Sequence, residues 1–222
     1  MGSDFDFMVI YEAIPFLISG MGITLLLTVV AIIGGIILGT LLALMKLSSF
    51  FLLQKSAQAY VNFFRSMPLI LVIFWFYFLM PMFTGRALGG LSSVLIAFTM
   101  FEAAYYCEII RAGIQSIRRS QIQAGKALGL TYPQNMFYII LPQAFRNMIP
   151  VLLTQAIVLF QDTSLVYVVG IKDFLTSAEL VSVREVRPIE MFITAAVVYF
   201  VICLSGSMFV KRLQDKFDRT TL

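Results

Sequence analysis

The chain has 222 residues, 60% of them hydrophobic and only 13% charged, about half the roughly 25% charge of an ordinary soluble domain. It has no histidine, which excludes His-based triads and His-built metal sites, and no GxxxxGK[ST] phosphate loop, so ATP hydrolysis through that motif is excluded too. The net charge of +4 sits beside apolar runs, where topology and anionic lipid account for it, and it gives no reason to expect nucleic-acid binding.

Taken in chain order, the first residues are acidic rather than basic (Asp4, Asp6, Glu12) and do not read as a cleaved signal peptide. Met1-Gly2-Ser3 has the look of an expression scar. Residues 13–45 contain no Asp, Glu, Lys or Arg, longer than the ~20 apolar residues a span requires. Five spans are predicted: 20–45, 57–81, 91–114, 137–169 and 188–210. The fourth is too long for one straight crossing and should be broken. The expected organisation is a periplasmic segment at 1–19, a membrane domain over 20–210 with a cytoplasmic loop at about 115–136, and a cytoplasmic tail at 211–222.

Orientation follows from Lys and Arg in the short loops. Lys46, Lys55, Arg111, Arg118, Arg119, Lys126, Arg146, Lys211, Arg212, Lys216 and Arg219 fall on one side, and Arg86, Lys172, Arg184 and Arg187 on the other. Eleven against four puts the N-terminus outside and the C-terminus inside. The first span carries Gly20, Gly22, Gly34, Gly35 and Gly39. Gly35 and Gly39 form a GxxxG spacing, which lets helix backbones approach closely in lipid, either within the chain or against a second chain. Cys107 and Cys203 both lie in apolar surroundings and read as buried thiols.

The segment 120–142, SQIQAGKALGLTYPQNMFYIILP, is short, polar and rich in small residues. Ser120 with Gln123 has the form of a capping box, Gly129 suits a left-handed helix end, and Thr131 with Gln134 repeats the box. A short helix, a tight break and a longer helix are expected. A small helix parked between membrane spans needs a covering partner, and a cytoplasmic motor subunit suits it.

Polar groups inside spans are costly and normally face protein or water. Glu102 and Glu108 lie six residues apart in the third span, on different faces. Glu108 is expected to pair with Arg111 or Arg65. Glu102 is deeper and either is structural or lines a substrate path. Gln155 and Asp162 are seven residues apart, which places both on one helical face, with Thr163 and Ser164 directly following. Asp162 either lines a pocket or caps a broken helix. Arg65, near Pro68, is expected to bind carbonyls freed by the proline, a lipid phosphate or an anionic substrate.

The 120–142 segment resembles the EAA loop of ABC importer permeases, whose pattern is E-A-A, three residues, G, nine residues, I-x-L-P. Gln123-Ala124-Gly125 stands at the E-A-A place, then come Gly129, Ile139 and Leu141-Pro142. The departures are Gln123 for Glu and Gly125 for Ala. With FRSMP at 64–68, AAYYCEIIRAGI at 103–114 and QDTSLV at 161–166, nearly the whole chain is similar to the MetI-like permeases for polar amino acids, and most to the glutamate/aspartate type. The resemblance implies an all-α integral membrane fold of about five transmembrane helices plus a short cytoplasmic coupling helix, in a bacterial inner membrane. It implies two ATPase subunits carrying ATP and magnesium, with no cofactor on this chain. It further implies a second permease subunit, similar or identical, and a periplasmic amino-acid-binding protein. Gln123, Ala124, Gly125, Ala127 and Gly129 would meet the ATPase, and the QDTSLV region would border the substrate pocket. The competing reading is a self-contained secondary transporter with an inverted repeat, against which no repeat is visible in five spans. A membrane enzyme is weaker still, since no nucleophile–base pair or metal cluster is visible.

Overall fold

The computed structural model describes residues 5–86 and 89–219. Met1-Gly2-Ser3 and Asp4 lie outside the described residues, as do the last three residues of the tail. Among the described residues every regular element is helical. In order these are α1 (Phe7–Leu47), α2 (Phe51–Arg65), α3 (Leu69–Phe74), a π turn (Trp75–Leu79) and α4 (Met80–Thr84). Then come α5 (Gly90–Gln115), α6 (Arg119–Ala127), α7 (Tyr132–Asn135), a second π turn (Met136–Ile140) and α8 (Leu141–Asp162). A 3₁₀ turn (Thr163–Val169), α9 (Phe174–Arg184) and α10 (Pro188–Arg219) complete the chain.

Four stretches are long and apolar enough to cross a membrane, Phe7–Leu47, Gly90–Gln115, Tyr132–Val169 and Pro188–Phe217, and a bent pair makes a fifth. The first helix is longer than expected: it begins at Phe7 rather than at 20, with the Asp6 carboxylate accepting the Met8 N–H at 2.9 Å. At 41 residues it is about 60 Å long, twice the ~30 Å hydrocarbon thickness. The span expected over 57–81 is present as a bent pair. Phe51–Arg65 and Leu69–Phe83 meet at 105°. Pro68 has an extended backbone (φ −63°, ψ 137°) and biases Met67 away from the helical region, so α2 ends at Arg65. The fourth span is long, as expected, but it is not broken: Tyr132–Val169 runs as one continuous stretch that passes through a π turn and ends in a 3₁₀ turn, with helical backbone at each joint. Helix α9, in what reads as a loop, is an addition. Its buried Asp173 accepts the N–H groups of Leu175 (3.1 Å) and Thr176 (3.0 Å), a side-chain cap that the sequence reading overlooked. Burial pushes the Asp173 carboxyl upward from the usual carboxylate range, and these hydrogen bonds work against that rise.

The chain divides into two compact units. The first comprises residues 1–32, 68–98 and 156–208. Its core joins Ala13 and Leu17 of α1 to Phe174, Ala178 and Val181 of α9 and Met191 and Ala195 of α10. Gly20 lies here too: a Cβ at that position would stand 2.3 Å from Ser177 Oγ. The second unit comprises residues 33–67, 99–155 and 209–222. One core cluster there joins Ile117 to Ile140, Ala144 and Met148, with Ile122 and Met136 against it.

Helix α1 buries one stripe and exposes the opposite one. Ala13, Leu17, Thr24, Leu27, Ala31, Leu42 and Ala43 are buried, whereas Ile18, Leu25, Val29, Ile33, Ile37 and Leu44 are exposed. The buried stripe uses mostly small residues, which is how helices associate where lipid supplies no hydrophobic driving force. In the second unit the GxxxG pair packs within the chain. A Cβ on Gly39 would lie 2.8 Å from Tyr106 Cβ and 2.9 Å from the Ala103 carbonyl oxygen, and one on Gly35 would lie 2.9 Å from the Tyr106 ring. Cys107, in the same stretch of α5, is buried, while Cys203 is only half-buried. Gly22, by contrast, has open space where a Cβ would go.

That contrast gives the first prediction. Gly39→Ala should lower the thermal midpoint of the detergent-solubilised protein by an amount equivalent to about 1–3 kcal/mol, because backbone atoms cannot yield as side chains can. Gly22→Ala should be neutral or raise it by up to about 1 kcal/mol. Equal midpoints for the two variants would show that the close approach of α1 to α5 is absent.

Candidate functional site

Within the second unit, Glu102 of α5 is fully buried. A carboxylate taken out of water needs donors, because unpaired desolvation costs several kcal/mol. Gln155 of α8 supplies them: its Nε2 donates to both carboxylate oxygens, at 3.2 and 3.1 Å. Gln155 is itself half-buried. An acid thus stands at membrane depth beside an amide whose nitrogen is engaged by both carboxyl oxygens. Two of the expected pathway residues come together in this way, in a pairing that the sequence reading did not foresee, because the seven-residue spacing tied Gln155 to Asp162 instead.

Asp162, Thr163 and Ser164 belong to the first unit. Asp162 is half-buried at the junction of α8 and the 3₁₀ turn, in helical backbone (φ −66°, ψ −19°), and makes no side-chain cap hydrogen bond. The reading of Asp162 as the cap of a broken helix is therefore corrected. An N-cap side chain needs extended backbone to reach the free N–H groups, and here the chain stays helical. The buried Thr163 hydroxyl donates to the Phe160 carbonyl at 2.7 Å, which ties the 3₁₀ turn back to α8. Ser164 is half-buried.

Glu108 is the anchor of a separate cluster in the second unit. It pairs with Arg111 at 2.7 Å, with Arg65 at 3.9 Å and, in the shortest of the three contacts, with Lys46. Arg111 and Arg65 were expected partners; Lys46 was not, although it is the basic residue in the last turn of α1. Arg65 also lies over the Tyr105 ring at 5.4 Å, so it serves packing and charge balance rather than the carbonyls near Pro68.

The 120–142 segment folds much as its punctuation implied, with one correction. No capping box forms at Ser120. Helix α6 begins at Arg119 with Arg118 as N-cap and without a side-chain cap bond, because burial of Ile117 against Ala144 and Met148 sets the turn earlier. At the far end Gly129 adopts φ +77°, the Leu130 N–H bonds to the Gly125 carbonyl at 3.1 Å, and the Gly129 N–H bonds to that of Lys126 at 3.0 Å. That is a Schellman closure. The second box does form: Gln134 Oε1 accepts the Thr131 N–H and hydroxyl, both at 2.9 Å. Gln123, Ala124, Ala127 and Gly129 are exposed, and Gly125 is buried. A Cβ on Gly125 would stand 2.4 Å from Asn135 Oδ1, and Asn135 Nδ2 donates to the Ile122 carbonyl at 2.9 Å. The carboxamide of Asn135, overlooked in the sequence, occupies the space that a side chain at 125 would need. Around this element Leu128, Tyr132, Phe137 and Tyr138 are exposed, an apolar surface of the kind that marks an interaction site.

Comparison with known proteins matches residues 31–219 to the family described as binding-protein-dependent transport system inner membrane component. The chain is 52% identical over 220 residues to the glutamate/aspartate import permease protein GltK of Escherichia coli O6:H1, covering 96% of this chain and 98% of that one. It is 35% identical over 212 residues to the probable glutamine ABC transporter permease protein GlnM of Bacillus subtilis, covering 96% and 98% of the two chains. A chain in the crystal structure of an amino acid ABC transporter with histidines superposes with a TM-score of 0.90 at 33% identity, over 97% of this chain and 100% of that one.

The Glu102–Gln155 pair is open to a double-mutant cycle. Glu102→Leu and Gln155→Leu should each destabilise the purified protein by about 1–3 kcal/mol, since each removes the hydrogen bonds between a buried carboxyl and its amide neighbour. The double variant should lose less than the sum, with a coupling of at least about 1 kcal/mol. Additive losses would mean that the two side chains do not depend on each other.

Proposed function

This chain belongs to the family of binding-protein-dependent transport system inner membrane components, and on that footing we propose that it is the permease subunit of an ATP-driven importer for glutamate or aspartate. The observation that carries the substrate is the end-to-end 52% identity to a glutamate/aspartate import permease. The family assignment leaves the secondary-transporter alternative without support. The chain is a transport subunit that crosses the membrane several times. In the proposed assembly a periplasmic binding protein delivers the amino acid, a second permease chain completes the pore, and two ATPase subunits hold ATP and magnesium. The N-terminus lies outside and the C-terminus in the cytoplasm, a reading supported by the eleven-to-four distribution of Lys and Arg.

The proposed substrate pathway takes in Glu102 and Gln155 of the second unit, and the sequence reading adds Asp162, Thr163 and Ser164 of the first as candidates in their own right. A carboxylate bridged by an amide suits an ammonium group: Glu102 supplies the charge and Gln155 Oε1 an acceptor. The carboxylates of an acidic substrate need cations that this pair does not supply, which assigns part of the pocket to the second permease. Helix α6, with Gln123, Ala124, Gly125, Ala127 and Gly129, is the coupling element. Gly125 serves it from inside, by letting Asn135 lock α6 to α7. ATP binding closes the ATPases and displaces α6, biasing a two-state equilibrium of the spans through differential contacts. No bond of the substrate is made or broken.

Reconstituted with its ATPase, partner permease and binding protein, the complex should accumulate labelled glutamate on addition of ATP, in competition with aspartate and not with arginine. Gln155→Leu should assemble normally and lose uptake about tenfold, the equivalent of ~1.4 kcal/mol. Uptake driven by an ion gradient alone, or transport at the parent rate in Gln155→Leu, would refute the machine and the site respectively.

Coupling and orientation are tested together at Leu128, which is 79% exposed and so can be changed without disturbing the core. Leu128→Asp should insert and fold, yet weaken ATPase association about tenfold or more, the effect of placing a charge in an apolar contact worth ~1.4 kcal/mol. Undiminished association would place α6 away from the ATPase.

A further inference from the structure

The second unit contains a cavity of about 760 Å³ that the pathway and coupling residues do not use. It is walled by the α5–α6 junction, the first half of α8 and the end of α10. Its polar lining includes Arg118, Gln121, Gln143, Arg146, Asn147 and Gln214, and no Asp or Glu is among the lining residues. Its size falls within the several-hundred-Å³ range of small-molecule pockets.

Arg118 and Arg146 are exposed, and two guanidinium groups bordering one concavity without a carboxylate give it a positive potential that solvent screens in part and an anion complements. Among the described side chains neither Arg118 nor Arg146 forms an ion pair. The neutral walls are held in place. Gln143 Nε2 donates to Gln121 Oε1 at 2.6 Å, and Asn147 Nδ2 donates to Ser116 Oγ at 2.8 Å. Each of these bonds joins the α5–α6 junction or α6 to α8. An arginine presents its donors as a planar fork matched to carboxylate and phosphate, and a second arginine with amide neighbours can complete the shell around such a group.

We propose that this cavity binds an oxyanion through Arg118 and Arg146. A ligand there touches α6, α8 and α10 at once, so it stabilises whichever arrangement of the three the cavity represents. The chemistry is common to two sources, a free carboxylate or phosphate from the aqueous phase and the phosphate of an anionic lipid headgroup. The site is independent of the amino-acid pathway and stands or falls separately from it.

The test uses the assembled transporter with Cys107 and Cys203 replaced and a single cysteine at Gln214, in phosphatidylcholine nanodiscs with or without phosphatidylglycerol. The rate of labelling by a small thiol reagent is followed as glutamate or inorganic phosphate is added. Occupancy should slow labelling about threefold at twice the dissociation constant, and R118Q/R146Q should abolish the slowing while the complex still assembles. Slowing by the free anions in phosphatidylcholine alone identifies an aqueous ligand, and slowing only with phosphatidylglycerol identifies a lipid headgroup. A cysteine at Thr154 provides a second reporter on the α8 wall should the first variant fail to assemble. Labelling that no anion slows, or slowing that survives loss of both arginines, overturns the proposal.

Discussion

The close approach of α1 to α5 is the constraint on which the second unit depends. Lipid tails are as apolar as leucine, so helices in a bilayer associate through contact and hydrogen bonding rather than through escape from water. Gly35 and Gly39 remove the side chains that would hold the two backbones apart, and Tyr106 fills the gap. Tyr106 is one helical turn from Glu102 and two residues from Glu108, so the fit of one ring fixes the height and rotation of both acids. Were α1 to stand off by even one methyl group, Lys46 would withdraw from Glu108 and the packing over Glu102 Cβ would open.

The two acids are then treated differently. Glu108 is 17% exposed and meets three cations, an arrangement that suits the end of a span, where charges are partly hydrated. Exposed ion pairs contribute little singly, and networks with shared partners contribute more. Its value is positional: one carboxylate collects residues from α1, α2 and α5. Glu102 has no exposure at all, and a neutral amide is the partner that Gln155 offers. The amide gives the buried carboxyl hydrogen bonds to both of its oxygens from a residue 53 positions away.

What was legible in the sequence follows from range. Long charge-free runs, the length of the fourth span, the Schellman glycine at 129 and the box at Thr131 are local signals, and the chain obeys them. The bend in the second span was not legible because Pro68 acts within an apolar stretch whose hydropathy hides it. The box at Ser120 failed because Ile117, three residues earlier, was claimed by a core built from α8, which no local pattern reveals. The same is true of Asn135 beneath Gly125 and of Gln155 beside Glu102. Residues 53 positions apart meet only once helices have been placed, and periodicity along one helix says which face a residue occupies but not what stands opposite.

These contacts also determine what a displacement of α6 would move. Helix α6 is nine residues long, too short to hold its shape by backbone hydrogen bonds alone. It is held by Gly125 on Asn135, by the Asn135 bond to Ile122 and by the Gln143 bond to Gln121. All three lead to α7 or α8 rather than to the connecting loop. The joint between α7 and α8 is a π turn, a locally widened and less regular turn of helix, with Ile140 buried beside it in the core. A force on α6 is therefore passed on by side-chain contact to the same helix that carries Gln155, with the π turn as the place where the helix gives. The element proposed to meet a partner and the residue that holds the buried acid are joined by packed contacts within one unit, which is the physical requirement for one to bias the other.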